Sequence, residues 1–212
     1  VKSYTTPLPG TAETSLVFVF LSKIKKMSVY PAVKHYIAGA FTNGAAKTLE
    51  VLSPLNGSII STVPLSSAGQ LDDAVQAAQK AFAGWSSTPV KERVQVLYRY
   101  KVLLEKNMDE LSQLVHEENG KTIDEARAEV EKSIELTEFA CSIPQLISGE
   151  LLEVSKGVEC RVEHKPLGVV ASIAPFNFPN MVPHWTIPNA IALGNCMILK
   201  PSEQVPISSN RI

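Results

Sequence analysis

Two short segments hold side chains suited to work on a polarised carbonyl and on a sugar-bearing ligand. In Pro175-Phe176-Asn177-Phe178-Pro179 an amide stands between prolines that restrict the backbone on either side. A carboxamide N–H held in this way suits a developing oxyanion, where one well-placed donor is worth about 3 kcal/mol. In Lys200-Pro201-Ser202-Glu203 a cation and a carboxylate lie three residues apart. One offers donors and the other acceptors, a combination that fits the hydroxyls of a ribose. The spacing also allows a simpler reading, in which Asn177 completes a turn and Lys200 and Glu203 sit at a helix start.

Other chemistries find little support. The sequence has no G-x-G-x-x-G and no G-x-x-x-x-G-K-[ST], so neither the usual dinucleotide turn nor a P-loop is present. Three cysteines, Cys141, Cys160 and Cys196, are an odd number at unpatterned spacing, which points to a reducing compartment. Cys160 and Cys196 read as inert core or edge thiols. His164 and His184 read as structural, and no histidine pairs with Cys or carboxylate at metal-ligand spacing. A net charge of −1 gives no basic excess for nucleic acid. The apolar run Ser15–Leu21 is too short to span a membrane, and its lysines follow it rather than precede it. Asn56-Gly57-Ser58 matches a glycosylation acceptor but sits better as a hairpin turn.

The elements that must position these residues follow from periodicity. Residues 30–65 alternate between turn signals and read as antiparallel strands. Three amphipathic helices come next. The first gathers Leu71, Ala74, Val75, Ala78 and Phe82 on one face and stops at Gly84. The second starts with Thr88 as N-cap and Pro89 as first helical residue, carries a stripe from Leu97 through Leu104 and Leu111 to Val115, and ends at Gly120. The third opens on a capping box, Thr122 with Glu125, and its expected buried face is Ile123, Ala126, Val130, Ile134 and Thr137. Residues 149–169 read as a hairpin ribbon facing solvent or a second subunit. The unbroken apolar run around Val169–Ile173 reads as a parallel strand covered on both faces. A helix opened or interrupted by Pro183 and Pro188, a short strand Cys196–Lys200 and the start of another helix complete a βαβ unit. Ligands in such sheets bind outside the carboxyl ends of the strands, where both segments lie.

At these residues the sequence resembles the aldehyde dehydrogenase superfamily. The family's P-[WF]-N-[FY]-P is met by "PFNFP", its K-P-[SA]-E by "KPSE", and the intervening "IPNAIALGN" and the upstream "ENGK" turn also match. The likeness runs from about His35 to Ile212. Phe176 and the stretch "EFACSIPQLISGE" are most similar to the CoA-acylating branch that oxidises malonate or methylmalonate semialdehyde. The resemblance implies an aldehyde dehydrogenase-like α/β fold, with residues 27–212 forming the N-terminal part of a doubly wound NAD-binding domain. The ribbon of residues 149–169 would project for homo-oligomerisation, a tetramer in the intact family. It implies Asn177 in the oxyanion hole, Ala174, Phe176, Lys200 and Glu203 lining NAD, and CoA as co-substrate. The family seats its cofactor without a G-x-G-x-x-G, which accounts for that absence.

Two departures stand out. Relatives usually read "KPSER", where this chain has Gln204, a position that still borders the cofactor but without charge. Where relatives carry an Arg able to grip the substrate carboxylate, this chain places Lys132, which keeps the charge and loses the bidentate fork. A surface lysine is the simpler reading of that position. The nucleophilic Cys and general-base Glu of the family are expected beyond Ile212, so that the chain alone is expected to be inactive. Residues 1–26 read as a leader outside the native protein, with translation starting at Met27; a mitochondrial presequence is the alternative. The compartment is accordingly cytoplasm, or else the mitochondrial matrix. The partners are a small-molecule aldehyde and copies of the chain, with no nucleic acid and no membrane. Two other readings stay open: a non-catalytic homologue that assembles with an intact subunit, and a non-acylating semialdehyde dehydrogenase.

Overall fold

A computed structural model describes residues 29–42 and 47–212. The expected leader 1–26 and the start at Met27 lie outside the described residues. Two antiparallel hairpins open the fold: β1 (His35–Ile37) with β2 (Ala40–Thr42), and β3 (Thr48–Leu52) with β4 (Ile59–Pro64). The second turns through Asn56 and Gly57, with Gly57 at φ +69° and Asn56 Oδ1 accepting from the Ser58 N–H at 2.9 Å. The hairpin expected there is present.

Helices α1 (Ala68–Trp85), α2 (Val90–Lys106), α3 (Met108–Asn119) and α4 (Ile123–Cys141) follow, then the single turn α5 (Ile143–Leu146). The Thr122–Glu125 capping box forms as expected. Three boundaries differ from expectation. Helix α1 runs through Gly84 to Trp85, because the Trp85 indole donates to the Ile191 carbonyl at 3.0 Å and the Ser87 and Thr88 hydroxyls bond back to the Gly84 carbonyl. With its hydroxyl used this way, Thr88 caps nothing, and Pro89 rather than Thr88 is the last residue before α2. The long second helix is in fact two. Asn107 leaves helical geometry at φ −105° and ψ 18°, and its side-chain amide takes the Leu103 carbonyl at 2.7 Å, competing with the backbone ladder. The apolar stripe survives the break, since Leu104, Leu111 and Val115 are all buried.

Three small cores hold these parts together. Leu104, Leu111, Val130 and Ile134 join α2, α3 and α4. Val51, Ile60, Val63 and Leu114 pack the second hairpin against α3, together with Ile207. Val94, Leu97, Ala140, Cys141, Ile143 and Ala192 tie α2 and α4 to the helix of the βαβ unit.

The hairpin β5 (Glu150–Ser155) and β6 (Val158–Val162) is exposed along its whole length, as expected of a ribbon. Then β7 (Val169–Ile173), α6 (Met181–Ala192) and β8 (Cys196–Lys200) form a βαβ unit with β7 and β8 parallel. Helix α6 is continuous across Pro188. Strand β7 is not covered on both faces as expected: Ile173 is 79% exposed. The last helix, α7 (Ile207–Arg211), starts four residues after Glu203, so Lys200 and Glu203 do not sit at its first turn.

Gly120 joins α3 to α4 in the left-handed region at φ +82°, and a Cβ there would come within 2.9 Å of Pro54 Cγ. Gly57 has a similar φ of +69° with open space around it. We expect Gly57→Ala to cost about 1 kcal/mol in urea unfolding, from backbone strain alone, and Gly120→Ala about 2–3 kcal/mol, strain plus overpacking. Equal losses would contradict the close fit at Gly120.

Candidate functional site

Strands β7 and β8 end side by side, and their ladder continues one residue further, with the Ala174 N–H donating to the Lys200 carbonyl at 3.0 Å. The two segments singled out in the sequence therefore leave the sheet from the same edge. Lys200 pairs with Glu203 at 2.7 Å, and that bond holds the Glu203 carboxyl below its usual range, ionised at neutral pH. Gln204 is exposed, its N–H bonded to Ser202 Oγ at 3.2 Å. Ala174 is buried at the strand end. Ile173 and Phe176, at and just beyond the end of β7, stay largely exposed, at 79% and 56%.

The loop carrying Asn177 is held by more than its prolines. The Phe176 carbonyl accepts from Asn119 Nδ2 at 2.8 Å, and the Asn177 carbonyl from Lys121 Nζ at 2.8 Å. The Phe178 carbonyl accepts from the Val182 N–H at 3.2 Å, and the Pro179 carbonyl from Ser209 Oγ at 2.7 Å. Four successive carbonyls are thus engaged. The Asn177 side chain, by contrast, is exposed and makes no hydrogen bond among the described residues, so it does not serve to complete the turn. A fixed backbone with a free amide is the arrangement an oxyanion donor requires.

Two buried carboxylates support this loop, and the sequence reading missed both. Glu118 is 2% exposed and accepts from the N–H groups of Ile207 and Ser208 at 2.6 and 2.9 Å, which fixes the start of α7. Glu129 is 3% exposed and accepts from the Asn180 and Met181 N–H groups at 2.8 and 3.1 Å, fixing the start of α6. It also pairs with Lys121, whose ammonium lies 3.8 Å above the Phe178 ring. The signal was a carboxylate on an apolar face: Glu129 falls between Ala126 and Ser133, and Glu118 three residues after Val115. Behind them His184 is wholly buried, its Nδ1 donating to the Asn180 carbonyl at 2.7 Å and its Nε2 2.7 Å from the Tyr100 hydroxyl. Burial lowers its pKa to about 4, so the ring is neutral and accepts the Tyr100 proton. It is structural, as read from the sequence.

Lys132 stands apart. It lies on the exposed side of α4 paired with Glu135 at 2.6 Å, and no contact among the described residues brings it to the loops. Cys141 is buried in α4, Cys160 is exposed on the ribbon, and Cys196 opens β8 at the end away from Asn177. Burial raises the pKa of Cys141 and of Cys196, which keeps both as thiols. No group of three or more His, Cys, Asp or Glu suited to a metal occurs among the described residues. None of the described helices is long and apolar enough to cross a membrane.

The sequence pattern of the aldehyde dehydrogenase family matches residues 41–212. The chain belongs to that family. It is 46% identical to a malonate-semialdehyde dehydrogenase of Bacillus pumilus over 182 residues, covering 85% of this chain and 37% of that protein. Among solved aldehyde dehydrogenases, a methylmalonate-semialdehyde dehydrogenase from Oceanimonas doudoroffii superposes with a TM-score of 0.84 at 40% identity, over 86% of this chain and 38% of the other. A second, from Sinorhizobium meliloti and complexed with NAD, gives a TM-score of 0.84 at 36% identity, over 88% and 38%. The chain thus spans less than two-fifths of the length of these family members.

Glu118 carries a pH dependence. Burial raises its pKa from an ordinary 4.5 to about 7, against the pull of its bonds to α7. The folded state therefore holds the proton more tightly, and this group's contribution is full below pH 4.5 and lost as pH rises through about 7. Measured by urea unfolding at several pH values, the chain should lose stability relative to Glu118→Gln across that window, by about 3 kcal/mol. A difference that does not change with pH would contradict this.

Proposed function

We propose that this chain forms the N-terminal part of an NAD-dependent aldehyde dehydrogenase that oxidises malonate or methylmalonate semialdehyde in the CoA-acylating manner, giving acetyl-CoA or propionyl-CoA. The observation that carries this reading is the shared sheet edge, where the free Asn177 amide and the Lys200–Glu203 pair leave from adjacent strand ends. The names of the relatives from Bacillus pumilus and Oceanimonas doudoroffii favour these substrates, and the NAD complex of the Sinorhizobium meliloti protein favours the cofactor.

The residues present fit NAD. Lys200 and Glu203 offer a donor and an acceptor to ribose hydroxyls, and the exposed Ile173 and Phe176 offer an apolar surface to a flat base. Ala174 closes the strand end beneath, and Gln204 borders the site without adding charge. When bound, NAD would supply a hydride acceptor. The part played by this chain is to hold that ligand and to point the Asn177 amide at the oxygen of the aldehyde as negative charge develops there. Lys132 would meet the substrate carboxylate as a point charge, a role that its surface pairing with Glu135 does not by itself support.

The nucleophilic thiol and the general base are assigned to sequence beyond Ile212; of the cysteines here, Cys141 is buried in α4, Cys160 lies on the ribbon and Cys196 opens β8 at the end away from Asn177. The exposed ribbon β5–β6 is assigned to subunit contacts of a homotetramer, and the compartment to the cytoplasm, in line with the bacterial relatives. On its own the chain should form no NADH from methylmalonate semialdehyde, NAD and CoA, yet bind NAD weakly. In a nitrogen-15 spectrum, millimolar NAD should shift the amide signals of Ala174, Ser202 and Glu203, and Lys200→Met should abolish those shifts. NADH formation at rates near those of intact relatives, or shifts confined to other regions, would overturn the reading. The acylating assignment fails if the uninterrupted enzyme turns over equally well without CoA.

A further inference from the structure

The proposed reaction assigns no role to Lys121 and Glu129, yet their geometry gives them one. Glu129 Oε1 accepts from two backbone N–H groups at the start of α6, which leaves Oε2 for Lys121. The Lys121 side chain is only 17% exposed and has three partners: that carboxylate, the Asn177 carbonyl at 2.8 Å and the Phe178 ring at 3.8 Å. The cation therefore sits between a buried anchor on α4 and the peptide group that carries the Asn177 side chain. A lysine stem is flexible, and a lone hydrogen bond from it to a carbonyl would hold little. Anchoring the ammonium on a carboxylate that is itself 1% exposed removes that freedom.

We infer that Lys121 and Glu129 are positioning residues for Asn177. The Glu129 carboxylate fixes the Lys121 ammonium, the ammonium fixes the Asn177 carbonyl, and the orientation of that peptide sets where the Asn177 amide points. The inference rests on the reading of Asn177 as the oxyanion donor, but the link itself is a property of this chain with no ligand bound. It also explains the "ENGK" turn: Gly120 reverses the chain so that Asn119 and Lys121 reach successive carbonyls of one loop.

The variant that separates positioning from folding is Glu129→Gln. Its remaining oxygen still accepts from Asn180 and Met181, whereas its NH2 group faces the Lys121 ammonium and cannot pair with it. In nitrogen-15 spectra of the full chain, Glu129→Gln should move the Phe178 amide and the Asn177 side-chain NH2 signals. Lys121→Arg, which keeps a cation able to donate to the Glu129 carboxylate and the Asn177 carbonyl, should leave them near their original positions. The Ile207 and Ser208 amides, held by Glu118, should stay in place in both and report an intact fold. A measurement on the unaltered chain covers the case in which the variant does not fold: Lys121 ammonium protons should exchange with solvent at least about tenfold more slowly than those of exposed Lys132. Unmoved Asn177 and Phe178 signals in folded Glu129→Gln, or equal exchange at the two lysines, would overturn the inference. Neither result depends on NAD, so failure here is distinct from failure of the cofactor reading.

Discussion

Two carboxylates have been taken out of water, and the candidate site is arranged around satisfying them. A buried, unpaired carboxylate is costly enough that folding would leave it protonated or exposed. Glu118 and Glu129 are each met by a pair of backbone N–H groups at a helix start, where such donors have no partner within the helix, although for Glu118 burial outweighs that pull and raises its pKa to about 7. The helices involved are α7 and α6, which flank the two loops at the sheet edge. Satisfying the acids and placing the loops are therefore one structural event.

Its product is a division of labour within a single residue. The backbone through Phe176–Pro179 has every carbonyl engaged by Asn119, Lys121, Val182 or Ser209, while the Asn177 amide makes no hydrogen bond among the described residues. Under the proposed reading of Asn177 as an oxyanion donor, a donor fixed before charge develops needs no reorganisation when it does. The links also close on themselves. Ser209 of α7 braces Pro179, and α7 is in turn held by Glu118, the residue next to Asn119 in the same turn. Displacing one member disturbs the others.

Much of this architecture was legible in the residues. The Asn56-Gly57 turn, the Thr122–Glu125 capping box, the helix stop at Gly120, the exposed ribbon and the parallel strand pair each carry a local signal strong enough to survive tertiary context. The boundaries that shifted did so through side-chain bonds that periodicity cannot register: Asn107 on Leu103, and Trp85 with Ser87 and Thr88 at the end of α1. Of the site, the Asn177 and Lys200–Glu203 segments could be found by type and spacing. The acids behind them could not be assigned, since an acid on an apolar helix face looks like an error until its backbone partners, 51 and 52 residues away for Glu129 and 89 and 90 for Glu118, are brought to it. Lys132 shows the converse. A family position was carried over, and the side chain lies on a charged surface with a local partner.

If the Glu118–Lys121 turn and the two loops form one cooperative unit, native-state hydrogen exchange will show them opening together. The amides of Asn180, Met181, Ile207 and Ser208 should exchange with the same opening free energy as Val115 in the middle of α3, and they should keep that match as urea is added. If the loop and α7 amides opened at much lower free energy while Val115 stayed protected, the two buried acids would be isolated contacts and no such unit would exist.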